Sequence, residues 1–148
     1  MRISTRGRYG LKAVVDIAHH TRSVRCVSLK AVAERQGISE NYLEQIIAPL
    51  KRAGVVNSIR GASGGYYLPR DAKSITVGEV LRVLEGTLAP AECVLDEDAG
   101  CGESDCSGCA VRSVWSKLFD SINEIVDSST IADLVANYEK EAVKNDLS

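Results

Sequence analysis

Tyr9, Leu11, Val14, Val15, Ile17 and Ala18 recur near helical spacing, which predicts a helix over 5–22 with Ser4 or Thr5 as its N-cap. Ser28 opens a second helix through about Gln36, with Leu29, Val32 and Ala33 on one face and Gly37 placed to end it. Ser39 caps a third, "ENYLEQIIAPLKRAG", whose apolar stripe is Leu43, Ile46, Ile47 and Leu50. Pro49 inside that stripe predicts a kink, and Gly54 a stop. Next, "VVNSIRG" is rich in β-branched residues, "ASGG" reads as a turn and "YYLP" as a returning strand. Two short helices joined by "GIS" and followed by a hairpin make a winged helix-turn-helix.

The pattern then changes character. Thr76 and Glu79 form a capping box ahead of Val80, Leu81, Val83 and Leu84. From about Thr87 to Ala110 helical periodicity vanishes. A long amphipathic stripe follows: Val111, Val114, Trp115, Leu118, Ile122, Ile125 and Val126. Trp115 in that stripe is core or interface. Thr130 with Asp133 restarts a last helix, "IADLVANYEKEAV", and the tail "KNDLS" is expected to fray. The fold class is therefore mainly α with a small β-hairpin wing.

Composition changes this picture in one respect. The chain has 148 residues and a net charge of −2, but residues 1–70 carry +8 and residues 71–148 carry −10. A basic front half on a helix-turn-helix points to nucleic acid. No apolar run approaches the ~18 residues that span a bilayer. The N-terminus "MRISTRGRYGLK" lacks the apolar stretch of a signal peptide, so a cytoplasmic protein with no membrane partner is expected. No nucleophile elbow, phosphate-binding loop or dinucleotide fingerprint is present, and the chain is read as a non-enzyme.

Two sites carry the candidate chemistry. The third helix would present its first turns to a major groove. Ser39, Asn41, Tyr42 and Gln45 there can hydrogen-bond base edges or phosphates. Glu44 can accept from cytosine N4 but is repelled by phosphate. Arg60 sits in the wing beside Gly61, Gly64 and Gly65, which permit positive φ or close backbone approach. Arg2, Arg6, Arg8, Lys51 and Arg52 suit phosphates.

The second site is "CVLDEDAGCGESDCSGC", where Cys93, Cys101, Cys106 and Cys109 follow the spacing C-x7-C-x4-C-x2-C. Thiolates in a polar loop fit an iron–sulfur cluster or zinc, and spacing leaves the two level, ahead of a metal-free thiol switch. The neighbouring acids raise thiol pKa values, against an activated nucleophile. A thiol oxidoreductase using Cys106 and Cys109 is a remote alternative, because no βαβ context surrounds that C-x2-C. Cys26 reads as a small hydrophobe, and His19 and His20 as favourable charges at a helix C-terminus.

"MRISTRGRYGLKAVVDIA", "SENYLEQIIAPLKRAGVVNSIRGASGGYYL" and "ITVGEVLRVLEG" closely resemble the IscR, NsrR and CymR group of bacterial winged-helix regulators. The resemblance covers nearly the whole chain. It implies a homodimer joined through the long C-terminal helix, binding palindromic promoter DNA, with Ser39, Asn41, Tyr42, Glu44, Gln45 and Arg60 as the DNA-contact positions. The front half is especially similar to cysteine-metabolism repressors, which lack a cluster. The cysteine loop is similar to the iron–sulfur-sensing branch, in which three loop cysteines hold the cluster. By that likeness Cys93 is the first ligand and Cys109 the last. Cys101 is preferred as the middle one, with Cys106 left open. Where the iron–sulfur-biogenesis regulators carry a histidine ligand, this chain has Arg112, which stays protonated and cannot ligate.

The expectation that results is a promoter-binding repressor sensing iron–sulfur status, redox state or nitric oxide. A 2Fe–2S cluster ranks ahead of a 4Fe–4S one. The alternative is a CymR-like regulator of cysteine metabolism with a zinc or thiol-switch loop. The division expected is a winged helix-turn-helix domain over 1–86, a cluster-binding loop over 87–110 and a helical dimerisation region over 111–148.

Overall fold

The computed structural model describes residues 2–96 and 108–147. Helix α1 spans Thr5–His20, and the Ser4 hydroxyl accepts the Gly7 N–H at 3.0 Å. It stops two residues short of the expected end. Both the N–H and the hydroxyl of Thr21 bond the Ile17 carbonyl, at 3.0 and 2.6 Å, and so close the last turn. Helix α2 (Leu29–Gln36) starts on Ser28 and ends at Gly37, whose φ of 67° is the left-handed conformation that glycine adopts without strain. Helix α3 (Glu40–Arg52) starts on Ser39 and continues through Pro49, whose carbonyl accepts the Ala53 N–H at 3.0 Å.

The hairpin is shorter than its β-branched run suggested. Strands β1 (Asn57–Ile59) and β2 (Gly65–Tyr67) pair antiparallel with Ser58 opposite Tyr66. Val55 and Val56 are withdrawn from it into the core. Val27 extends the ladder on the other side of β2: its N–H donates to the Tyr66 carbonyl and its carbonyl accepts from the Tyr66 N–H, at 2.9 and 2.7 Å. A Cβ on Gly65 would lie 2.3 Å from the Val27 carbonyl oxygen, so this approach of wing to helix-turn-helix requires glycine.

Helix α4 (Val77–Glu85) starts on Thr76, but only half of the expected box forms. The Thr76 hydroxyl accepts the Glu79 N–H at 3.0 Å, whereas the Glu79 carboxylate takes the Arg70 guanidinium. Helices α5 (Arg112–Ser128) and α6 (Ile131–Leu147) complete the fold. At α6 both halves form: the Asp133 N–H donates to the Thr130 hydroxyl at 3.1 Å and the Thr130 N–H to the Asp133 carboxylate at 3.0 Å. The helix runs on through the tail to Leu147. Lys144 pairs with Glu141 at 3.1 Å and lies in the last turn, where a cation opposes the helix dipole.

The main core joins α1, α2, α3, α4 and α6. Ala13, Val14 and Ile17 of α1, Val32 of α2 and Leu43, Ile46, Ile47 and Leu50 of α3 are buried with Val55, Val56, Ile75 and Val80. Ile131 and Val135 of α6 join the same cluster, so α6 folds back onto α1. Each buried Val, Leu or Ile among them contributes roughly 1.5–3 kcal/mol by leaving water. At the other end of α1, His19 stacks edge-on against Tyr138 of α6, with Nδ1 3.3 Å from a Glu139 carboxylate oxygen.

Candidate nucleic-acid interface and cysteine site

The polar residues of α3 and the core residues of α3 occupy opposite sides of one helix. Leu43, Ile46, Ile47 and Leu50 are buried; Ser39, Asn41, Glu44 and Gln45 are exposed, and Tyr42 is half-buried. The Ser39 oxygen accepts the Tyr42 N–H at 3.1 Å, which leaves its own O–H as a donor toward solvent. Tyr42 meets the Tyr9 ring edge-on at 6.2 Å, and the Lys12 ammonium lies 5.6 Å over that same ring. The start of α3 and the basic face of α1 are therefore one surface. Arg2, Arg6 and Arg8 are exposed on or just before α1, and Arg8 donates to the Thr5 hydroxyl at 3.2 Å. Lys51 and Arg52 are exposed at the far end of α3, and Arg60 is exposed in the wing.

What sets the angle of α3 is a buried carboxylate that patterning overlooked. Asp16 is 5% exposed within α1. Arg35 of α2 grips it with two bonds, Nε to Oδ2 at 2.9 Å and Nη2 to Oδ1 at 2.6 Å, and Gln36 adds a third at 3.1 Å. The His20 Nδ1 lies 3.5 Å from the same carboxylate. A buried charge must be paired and hydrogen-bonded, and here the pairing fixes the end of α2, hence the turn into α3. The available signal was the lone acid inside "AVVDIAHH", a charge on an apolar helix face.

The wing is tied down as well. Besides the Val27–Tyr66 pair, the Cys26 thiol donates to the Ser63 carbonyl at 3.4 Å. Cys26 is half-buried, as its apolar neighbours suggested. Gly61 takes a φ of 107°, while Gly64 and Gly65 are held by close backbone approach.

Of the four loop cysteines, Cys93 and Cys109 are described; Cys101 and Cys106 lie outside the described residues. Cys93 lies on a short 3-10 turn, Glu92–Val94, and is 2% exposed. Cys109 is half-buried, and both are free thiols. Arg112 links them: its N–H donates to the Cys109 carbonyl at 3.4 Å and its Nε to the Cys93 carbonyl at 3.3 Å. The two ends of the loop thus meet at the first residue of α5. Among the described residues no three His, Cys, Asp or Glu side chains form a metal-sized cluster. A complete ligand set would therefore draw on Cys101 or Cys106. The donor chemistry fits: two free thiols, one of them shielded from water, whose main chain is held by Arg112.

Helix α5 divides its apolar residues between two faces. Ile122 and Val126 pack on Val77, Leu81 and Leu88. Val114 at 57%, Trp115 at 37%, Leu118 at 39% and Ile125 at 65% face solvent, so Trp115 is not a core residue of this chain. An apolar groove of about 430 Å³ runs beside Ile125, lined by Ile3, Leu81, Leu88, Ile122 and Val126. Arg82 fastens α4 to α5 by bonding both Asp127 carboxylate oxygens, at 2.6 and 3.0 Å, and Asn123 at 2.8 Å. The hydrogen bond from Arg82 holds the Asp127 carboxyl below its ordinary range.

A helix-turn-helix with a tethered wing, an exposed polar recognition helix and a basic α1 define a winged-helix transcription regulator. Comparison with known proteins gives the particular class. Residues 3–137 match the Rrf2 family, described as an iron-dependent transcriptional regulator, and the chain belongs to that family. It is 41% identical over 136 residues to the HTH-type transcriptional regulator CymR of Bacillus subtilis, covering 92% of this chain and 91% of that one. The solved structure of CymR, titled the global cysteine regulator of B. subtilis, matches with a TM-score of 0.78 at 39% identity over 93% of this chain and 98% of that one. The HTH-type transcriptional regulator IscR of Escherichia coli is 36% identical over 142 residues, covering 94% of this chain and 83% of that one. The structure of T. potens IscR matches with a TM-score of 0.75 at 44% identity, over 95% of this chain and 90% of that one. These relatives are named as transcriptional regulators, not enzymes. No helix of the described residues is long and apolar enough to cross a membrane.

Proposed function

We propose that this Rrf2-family regulator is a cytoplasmic homodimeric repressor whose promoter affinity is set by an iron–sulfur cluster held in the Cys93–Cys109 loop. The observation that carries the reading is the meeting of Cys93 and Cys109 at Arg112, with the Cys93 thiol buried and reduced. Cys93 and Cys109 are the outer ligands, Cys101 the third, and Cys106 the candidate for a fourth. A cluster of this kind supplies a centre that responds to electrons, oxygen and nitric oxide, and 2Fe–2S is favoured over 4Fe–4S. The family description as iron-dependent and the likeness to IscR support the assignment.

In this reading Ser39, Asn41, Tyr42, Glu44 and Gln45 enter the major groove. Arg60 reaches the wing contact, and Arg2 and Arg8 hold phosphates. The exposed stripe of α5 and the groove beside Ile125 take the same surface of a second copy. Two recognition helices then read the halves of a palindrome roughly 34 Å apart. The tie between the Cys93 turn and α5 sets the spacing of those helices.

The likeness to CymR supports a second reading, a regulator of cysteine metabolism whose loop holds zinc or works as a thiol switch. Anaerobic reconstitution with iron and sulfide, followed by iron, sulfide and zinc counts and a visible spectrum, separates the two. Iron and sulfide bound to wild type, and lost in Cys93→Ser and Cys109→Ser, is the expected result. Colourless protein holding zinc, or no metal, favours the second reading.

A further inference from the structure

Helix α5 begins without a start signal of its own. Its first flanking residue, Val111, offers no side-chain cap and already has helical backbone, and its first turn carries no acid. The first four N–H groups of a helix need partners from outside it. Yet this end of α5 lies in a defined place, because Arg112 reaches back across 19 residues of sequence to the Cys93 carbonyl. That carbonyl sits on the turn Glu92–Val94, which packs against α5 and buries the Cys93 side chain. One turn further along α5 are Val114 and Trp115, at the head of the exposed apolar stripe.

We propose that Arg112 is a positioning residue: it straps the main chain at Cys93 to the first turn of α5 and passes the state of the cysteine loop to the exposed face of that helix. A guanidinium keeps its charge and cannot ligate a metal, so its part is mechanical and electrostatic. It fixes where the Cys93 main chain stands relative to α5. The transmission rests on the sensor function proposed above; the strap does not.

The test has two arms, both on full-length protein. In the first, metal-free wild type and Arg112→Ala are compared by hydrogen exchange. Amides of residues 112–118 should exchange about tenfold faster in the variant, as expected for loss of one charge-assisted bond. Amides of α1 and α3 should stay unchanged, and Arg112→Lys, which can still donate to the carbonyl, should recover part of the protection. Unchanged exchange at 112–118 overturns the strap. In the second arm, iron is loaded anaerobically and affinity is measured for a duplex that wild type selects from random sequence. Wild type and Arg112→Ala are compared at equal iron per protomer, counted before each titration. The ratio of iron-loaded to iron-free affinity should shrink by about fivefold or more. An unchanged ratio overturns the transmission. A wild type that takes up no iron refutes the sensor function, and the exchange arm still decides the strap.

Discussion

Helices α1, α2, α3 and α4 each start on a hydroxyl that accepts a backbone N–H, from Ser4, Ser28, Ser39 and Thr76. Helix α5 starts on no side chain at all and buries none of its residues. The winged domain is closed by its own caps and by a core that α6 completes with Ile131 and Val135. The helix after the cysteine loop is placed by Arg112, by Arg82 and by whatever covers its outer face. A regulator needs both kinds of construction: a rigid reading head, and a connection whose geometry depends on a signal.

Removing packing from the closed region should give the largest effect. Leu50→Ala, at a fully buried site, should destabilise the protein by about 2–5 kcal/mol, read by thermal or denaturant unfolding. Stability within error of wild type would remove the claim that α3 is held by this core. The open region should respond differently. Ile125→Glu leaves the protomer fold intact by circular dichroism and raises the dimer dissociation constant by at least about tenfold, since each buried aliphatic side chain is worth ~1.5–3 kcal/mol. Sedimentation reads this directly, and an undisturbed dimer would move the interface off α5.

Smaller effects sharpen the contrast. Arg60→Ala should weaken promoter binding by about 1–3 kcal/mol, measured by titration of labelled duplex, with iron content and dimer unchanged. Arg8→Gln should reduce the slope of log affinity against log salt by about 0.9 if it holds one phosphate. The smallest is a pH effect at the α4–α5 junction. Arg82 lowers the Asp127 pKa in the folded state, so the stability of this pair is present above the unfolded value of 3.8 and is lost as pH falls through the folded pKa. In Asp127→Asn the acid limb of the unfolding curve, followed by fluorescence, should flatten.

The parts of the fold that patterning foretold are those specified by contiguous residues. Serine and threonine caps, Gly37, the α3 stripe and the glycines of the wing each declare a local backbone state, and each local state survived into the fold. Departures came where distant groups compete. Glu79 was expected to complete a capping box, but Arg70 takes its carboxylate. Asp16 was given no role by periodicity, and Arg35, 19 positions on, makes it a buried anchor. The stripe of α5 reads as one face, whereas Ile122 and Val126 turn toward α4 and Trp115 toward solvent. The cysteine spacing suggested a thiol-ligand site. The role of Arg112 in joining its ends was invisible, because a side chain that spans 19 residues leaves no periodic trace.

The central claim is that the loop between Cys93 and Cys109 controls DNA binding through bound iron. The most direct measurement is promoter affinity of one anaerobic preparation, before and after its iron is removed by chelation, with iron counted at each step. A change of at least about fivefold in affinity, lost in Cys93→Ser, is expected. Equal affinity with and without iron, in protein shown to have held it, would contradict the account.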